Sequence, residues 1–474
     1  MTHTSIPFDN SYAQLAPAFF TAQEPLPVTS PALVAINRPL ADDLGMTLGE
    51  DAELARIFAG NLLPEGAEPL AQVYAGHQFG GFSPQLGDGR AVLLGEVVDK
   101  GGARRDLQLK GSGRTPYSRG GDGRAWLGPV LREYVLSEAM HALGIPTTRA
   151  LAAVRTGDIV YRQEGGLPGA VLTRVAASHL RVGTFQYFAA RRDTGALQRL
   201  LDYASARHYP GAPEPGAFLR AVIARQAKLV AQWMGAGFIH GVMNTDNTSI
   251  SGETIDYGPC AFMDAYAPDQ VYSSIDRQGR YAYSNQGHVI VWNMAQLASA
   301  LVPLMPDEDA AVADFTHAVH AMPAMIEAEW LRVFGAKIGL GAPSEDDRAL
   351  IEDLLALMAE SGADFTNTFR ALGHGTAEAQ FSDPARFAAW QARWHARLET
   401  EEGWRARMEA TNPAIIPRNH HIEEMIAAAV AGDDAPFHRL LGVLAYPYQE
   451  QADAEFLTHP PAPEEIVRQT FCGT

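Results

Sequence analysis

The chain is poor in cysteine, in lysine and in positive charge overall, and each shortage closes off a class of protein. Two cysteines in 474 residues, Cys260 and Cys472, rule out a disulfide-stapled scaffold and a cysteine-rich zinc site. They suit a reducing compartment. Lys and Arg number 37 against 55 Asp and Glu, a net charge of -18. A general nucleic-acid binder or a protein held on anionic membranes needs net positive surface, so neither partner is expected. No run approaches about 18 uninterrupted apolar residues. The N-terminal MTHTSIPFDNSYAQLAPAFF has no basic segment followed by an apolar one. The reading is therefore a cytoplasmic chain without a signal peptide or a membrane span. What is present is 47% hydrophobic and 19% charged, enough to bury a large core, and the length predicts more than one structural unit.

The charge is uneven. From Lys100 to Arg181 there are 13 Lys and Arg against 6 Asp and Glu, a basic island of +7 that leaves -25 on the rest. Glycine crowds the same region, with 14 of the 44 glycines between Gly76 and Gly128. Strand-type segments run through 90–99 and 106–110, separated by Gly101-Gly102. Gly128-Pro129 starts a helix and Gly144 with Pro146 stops it. More strand-like sequence follows in ALAAVRTG, DIVYRQE and GAVLTRVA. After Ser178 the periodicity becomes helical, over 217–237 and roughly 290–304, 308–337, 344–372, 383–410 and 421–431. Residues 1 to about 70 are Pro- and Ala-rich with short helical patches. A sheet-rich part followed by a larger helical part is an α+β arrangement.

Lysine occurs four times, as Lys100, Lys110, Lys228 and Lys337. Lys110 ends DLQLK, in which Leu107 and Leu109 face one side and Gln108 and Lys110 the other. A lysine at a strand end is usually solvated. On an inner strand, with a glutamate from the following helix, it becomes a phosphate-binding lysine of the kinase kind. Glu133 lies 23 residues on, in the second turn of that helix; Glu138 is the alternative, farther from the strand end.

A second constellation, GFIHGVMNTDNTSISGETIDYGP (237–259), follows a helix. Set against the kinase loop HRD-x-x-x-x-N and DFG, His240 takes the His position, Asn247 the Asn position and Asp256-Tyr257-Gly258 the DFG position. The Asp position is Val242, which cannot abstract a proton. Asp246 can, although a loop aspartate commonly braces its own turn. Mg2+ takes few oxygen ligands from a protein when a nucleotide supplies the rest, and Asn247 and Asp256 fit that requirement. In SPQLGDGRAVLLGE (83–96), Gly87, Gly89 and Arg90 are candidate phosphate contacts, although for the glycines alone a hairpin turn is the plainer reading. SRGGDGRA (118–125) adds Asp122 and Gly123, and Arg174 and Arg181 flank the change from sheet to helix. His420 and His421 lack the HExxH spacing and read as loop or helix-start residues.

Together these motifs resemble the selenoprotein O family, over nearly the whole chain. The strings that carry the likeness are FDNSYAQL, YAGHQFGGFSPQLGDGRA, LQLKGSGRTPYSRGGDGRA, VLREYVLSEAMHALGIPTTRAL, GFIHGVMNTDNTSISGETIDYGP and NPAIIPRNH. The resemblance implies a protein-kinase-like two-lobe fold, with a sheet-rich nucleotide-binding lobe in 1–177 and a helical lobe in 178–474 that carries the catalytic loop, the DYG element and the tail. It implies a protein adenylyltransferase that uses ATP and Mg2+ or Mn2+ and acts on Ser, Thr or Tyr hydroxyls of proteins; a monomer is expected. ATP would be flipped relative to kinases, so that AMP is transferred and pyrophosphate released. Arg90, Lys110, Arg174 and Arg181 would contact phosphates, and Gly87, Gly89, Asp122 and Gly123 would line the nucleotide site. Glu133 would hold Lys110, Asp246 would be the base, and Asn247 and Asp256 the metal ligands. UMP transfer, phosphoryl transfer and a nucleotide-binding pseudokinase scaffold stay open as alternatives, the last because Val242 has replaced the usual base. The family's C-terminal cysteine is matched by Cys472, with a disulfide partner expected near Val271-Tyr272-Ser273; Tyr272 stands there instead. The alternatives are a Cys260–Cys472 pair, or a buried Cys260 with a free tail thiol.

Overall fold

A computed structural model describes residues 3–163 and 165–471. The N-terminal part is built on one antiparallel sheet. Its strands are Phe20–Ala22 (β1), Ala32–Ile36 (β2), Leu70–Gln72 (β3), Ala91–Val98 (β6), Arg104–Lys110 (β7), Ala125–Trp126 (β8), Arg149–Arg162 (β9) and Gly165–Ala176 (β10), while Gly76–Gln78 (β4) and Gly81–Ser83 (β5) form a separate hairpin. The sheet order is β1-β3-β6-β7-β10-β9-β2, with β8 pairing onto β10. Arg38–Asp43 (α1) and Asp51–Phe58 (α2) cover one face, where Leu54, Ile57 and Phe58 meet Leu107, Leu151 and Val175. Leu127–Ala142 (α3) covers the other, with Val130, Leu131 and Tyr134 against Ala150, Ala170 and Leu172. The alternation expected in DLQLK is present: Leu107 lies in the α1/α2 core, so its neighbour Gln108 faces α3.

The larger part is helical. It runs through Val182–Ala190 (α4), Thr194–His208 (α5), Pro215–Gly235 (α6), Gln286–Leu301 (α7), Glu308–Lys337 (α8), Arg348–Ser361 (α9), Phe365–His374 (α10), Pro384–Leu398 (α11), Trp404–Thr411 (α12), Asn419–Val430 (α13) and Ala435–Leu444 (α14). Between α6 and α7 lie the short strands Phe238–Ile239 (β11) and Ala261–Phe262 (β12), which pair and bracket the segment that carries His240, Asp246, Asn247 and Asp256. Helices α13 and α14 return to pack on α3.

Several elements differ from expectation for local reasons. The segments ALAAVRTG and DIVYRQE are one strand, β9, because Gly157 takes a left-handed φ of 77° inside it and lets the strand continue. The helical pattern over 344–372 breaks at Gly362, and that over 383–410 breaks before α12 at Gly403, both left-handed. The Pro- and Ala-rich start supplies β1, β2 and β3 as well as helices. His420 and His421 fall in the first turn of α13. Among the described residues, Tyr283–Leu304 is the one helical stretch long and apolar enough to cross a membrane. It contains α7, which packs against α4, α6 and α8, so its apolar residues serve a helical core.

Lys337, at the end of α8, is 2% exposed, with its ammonium 4.3 Å from the Phe369 ring centre and 5.3 Å from that of Phe365. Burial pulls this amine down to about 7. The folded state therefore binds fewer protons than the unfolded chain between that pH and the ordinary 10.5, and stability contributed here rises as pH rises through the window. Lys337→Met should be more stable than the parent at pH 6, and the difference should shrink towards pH 10. Urea melts at the two pH values check it; a constant difference would contradict the buried amine.

Candidate active site

The site is assembled on the sheet face that α3 covers. Lys110 on β7 stands beside Leu172 of β10, and Arg174 of β10 stands opposite Gln108. A residue two positions away on a strand keeps the same face, so Gln108, Lys110 and Arg174 project together. α3 lays Glu133 across them. Lys110 Nζ donates to Glu133 Oε2 at 2.5 Å, and Arg174 donates from Nε and Nη2 to Oε1 at 2.9 and 2.6 Å. Glu138 is engaged elsewhere, with Arg149 at 2.7 Å, which resolves the choice between the two glutamates.

Asp256 closes the cluster from the helical side. It takes a left-handed φ of 64°, unusual for a residue with a side chain. Its Oδ1 accepts from Arg174 Nη2 at 2.6 Å and from Lys110 Nζ at 3.1 Å, and Arg181 Nη2 lies 3.7 Å from Oδ2. Burial by itself raises both carboxyls. Arg174 and Lys110 reverse that and hold Glu133 below its ordinary value; with Arg181 they hold Asp256 well below. Burial opposes the charge on Arg174, but Asp256 and Glu133 raise it above the ordinary guanidinium value.

Arg181 sits where the chain leaves the sheet and enters α4. Its backbone N–H donates to Thr184 Oγ1, and it bridges to Ser249 while Val182 N–H donates to Thr248 O at 3.0 Å. The guanidinium stacks 4.3 Å above the Tyr74 ring and lies 3.8 Å from Asp88 Oδ1, and its Nε is buried without a hydrogen bond. Asp88 is pushed up to about 6 by burial, which Arg181 only partly offsets.

The loop between β11 and β12 supplies the rest. His240 is buried, which lowers its pKa, and its Nε2 donates to Ile255 O at 2.8 Å, tying the loop to the residue before Asp256. Asn247 donates from Nδ2 to Val242 O at 3.0 Å, so its amide oxygen is the atom left for a cation. Asp246 is pushed up to about 6 by burial; its Oδ1 is buried with no partner, and its Oδ2 accepts from Gln78 Nε2 at 3.0 Å.

Gly87 and Gly123 need their glycines, with φ of 81° and 67° and no room for a Cβ beside Tyr117 and the Gly113 carbonyl. Asp122 pairs with Arg162 at 2.8 Å and accepts from the Arg124 N–H, so it braces its own loop. All twelve expected residues, Gly87, Gly89, Arg90, Lys110, Asp122, Gly123, Glu133, Arg174, Arg181, Asp246, Asn247 and Asp256, line one cavity of about 440 Å³. Its size is that of a small-ligand site. The same cavity is lined by Tyr74, Gln78, Asp88, Gln108 and Asn244, which sequence reasoning gave no role. Gln108 was within reach of it, since strand alternation puts it on the Lys110 face.

Cys260 is buried, its thiol pushed up to about 12 by burial, and among the described residues it makes no disulfide. Cys472 lies outside the described residues. Two residues before it, Thr470 bridges to Ser273 and donates from Oγ1 to Pro259 O at 2.5 Å, so the tail reaches the neighbourhood of Tyr272 and Cys260.

A cavity that sets three cations against carboxylates, with the Asp246 carboxylate and the Asn247 amide also in its lining, can hold an anionic ligand. Known proteins give this chemistry a class. The protein nucleotidyltransferase YdiU of Ruegeria sp. (strain TM1040) is 64% identical over 469 residues, covering 99% of each chain. Its counterpart in Ruegeria pomeroyi is 64% identical over 470 residues with the same coverage, and that of Roseobacter denitrificans is 63% identical over 474 residues, covering both chains fully. The chain is an enzyme, a nucleotidyltransferase. The description "Protein adenylyltransferase SelO" matches residues 3–445, and the chain belongs to that family.

Removing Glu133 strips two buried cations of a shared partner, a change that costs about 3 kcal/mol in such settings. We expect that loss in urea melts of Glu133→Ala at pH 7. Because the folded carboxyl is held below its ordinary 4.5, the stability it contributes is full above that pH and falls away as pH drops further. Glu133→Gln should therefore lose part of the parent's acid dependence. Melts of either variant that superimpose on the parent's would contradict the pairing.

Proposed function

We propose that the enzyme transfers AMP from ATP to Ser, Thr or Tyr hydroxyls of proteins and releases pyrophosphate. The observation that carries this is that one cavity is lined by Lys110 and Arg174 from the sheet, by Arg181 at the start of α4, and by Asp246 and Asn247 from the loop between β11 and β12. In this reading the outer phosphates lie against those cations and the α-phosphorus is turned towards Asp246. That is the flipped orientation, and it suits arginines, which pair planar forks with phosphate where water is excluded. The arrangement is read as protein-kinase-like, with lobes 1–177 and 178–474; β10 ending at Ala176 and α4 starting at Val182 support that boundary.

The acceptor oxygen attacks the α-phosphorus. Its bond to phosphorus forms as the bond from the α-phosphorus to the α–β bridging oxygen breaks, and pyrophosphate leaves. The hydroxyl proton passes to the Asp246 carboxylate, which burial has made more basic than an ordinary aspartate. Arg174 and Arg181 are already fixed where charge gathers on the leaving group, so no reorganisation is needed. The donor set fits Mg2+ or Mn2+: the Asn247 amide oxygen is free of the hydrogen bond its nitrogen makes, and Asp256 is an ionised carboxylate. Among the described residues no group of three or more His, Cys, Asp or Glu is placed to hold a metal without a ligand's help. When bound, the metal neutralises phosphate charge.

Val242 lines the cavity where a kinase carries its base, and this favours the scaffold as second reading. ATP labelled at the α- or the γ-phosphate separates the readings. We expect α-label on protein acceptors and none from γ; γ-label would overturn AMP transfer, and ATP binding without label from either position would favour the scaffold. Parallel assays with labelled UTP report on UMP transfer. Asp256→Ala should abolish metal-dependent transfer. Asp246→Ala should lose transfer, with ATP affinity by direct titration within about threefold of the parent; an equal loss of both would make Asp246 structural.

A further inference from the structure

None of the roles so far falls on the β4–β5 hairpin, yet this hairpin is bolted to the segment that carries Asp246. The N–H of His77 donates to Thr245 Oγ1 at 2.7 Å, and that of Phe79 donates to Asn244 Oδ1 at 3.1 Å. Thr245 Oγ1 in turn donates to Gln186 Oε1 at 2.6 Å, and Gln186 Nε2 donates to His77 Nδ1 at 2.8 Å, closing a ring through the His77 backbone and the three side chains. Asn244 Oδ1 also accepts from the Tyr281 hydroxyl at 2.6 Å. The backbone on both sides of Gln78 is thus fixed to the two residues that precede Asp246. The approach is close enough that a Cβ on Gly76 would stand 2.6 Å from Asp246 Oδ1.

Gln78 itself takes no part in that docking. Its side chain lines the cavity, and its amide donates to Asp246 Oδ2 at 3.0 Å. Oδ1 is sealed against Gly76 without a partner, so Oδ2 is the oxygen that can meet an incoming hydroxyl. An ionised carboxylate oxygen accepts more than one hydrogen bond. One donor from Gln78 therefore orients the group and leaves capacity for the acceptor hydroxyl.

We infer that Gln78 is a positioning residue for Asp246, holding its carboxylate in the orientation that receives the acceptor proton; this rests on the reading of Asp246 as proton acceptor. The backbone bonds of His77 and Phe79 hold the hairpin whatever side chain stands between them, so removing the amide leaves the fold in place. Misaimed catalytic groups cost about tenfold to a hundredfold in turnover.

The test uses the full-length enzyme with labelled ATP and a protein acceptor. Gln78→Met, of similar length without a donor, should lower kcat at least about tenfold. Its KM for ATP, its ATP affinity by direct titration and its melting temperature should match the parent's. Gln78→Glu, of the same shape but with an acceptor facing the carboxylate, should lose as much or more. In an Asp246→Ala background, Gln78→Met should cost nothing further. If Gln78→Met keeps full kcat while Asp246→Ala is inactive, the positioning role is overturned and the base stands. If ATP affinity and melting temperature fall along with kcat, Gln78 is structural and the inference is overturned. If Asp246→Ala retains the parent's activity, the base reading itself fails, and the inference with it.

Discussion

Arg174 carries a full charge at 2% exposure, and the site around it is organised by the need to pair that charge. Glu133 serves two cations at once and Asp256 three, and the two carboxylates come from different elements, one from α3 and one from the loop that follows β11. Neither carboxylate could remain ionised there alone, and neither cation would tolerate the interior without them. The cluster therefore ties the sheet, the helix on its face and the helical part into one arrangement. In the reading proposed above, it also preorganises the reaction, because phosphate oxygens and a metal meet charges already fixed in place.

The same pairing explains the basic island of 100–181. Some of its charge stays on the surface, as at Lys100, Arg114 and Arg119, but much of it is paired. Arg105 meets Asp99, Arg149 meets Glu138, Arg155 meets Asp434 across to the loop before α14, and Arg162 meets Asp122. Lys110, Arg174 and Arg181 turn into the cavity. A run of cations that looks like a polyanion-binding surface in the sequence is thus partly spent on internal pairs and partly focused on one pocket.

Most of the site was legible because its chemistry rides on short-range pattern. Alternation in DLQLK put Lys110 on the inner face, and the spacing of His240, Asn247 and Asp256 located the loop that faces it. The Glu133 or Glu138 choice needed only the helix start. What remained hidden depends on contacts far apart in the chain. Gln78 reaches Asp246 across 168 residues, and Asp88 gains its place from Gln72, Gln108 and Arg181. Nothing in the spacing of YAGHQFGG announces a partner. In the fold, glycines with left-handed φ decided the misreadings: Gly157 sits inside a single strand, while Gly362 and Gly403 end helices that periodicity ran together. The strands of the Pro-rich N-terminus exist by pairing to the sheet edges, a tertiary effect that local propensity does not report.

The central claim is that the cations of the sheet face receive the outer phosphates while Asp246 faces the α-phosphorus. A crystal structure of the enzyme with a non-hydrolysable ATP analogue and Mg2+ tests this most directly. The account predicts the β- and γ-phosphates within hydrogen-bonding distance of Arg174 and Arg181, with the α-phosphorus nearest Asp246. A γ-phosphate directed at Asp246, with the α-phosphorus held against Lys110 and Arg174, would contradict it.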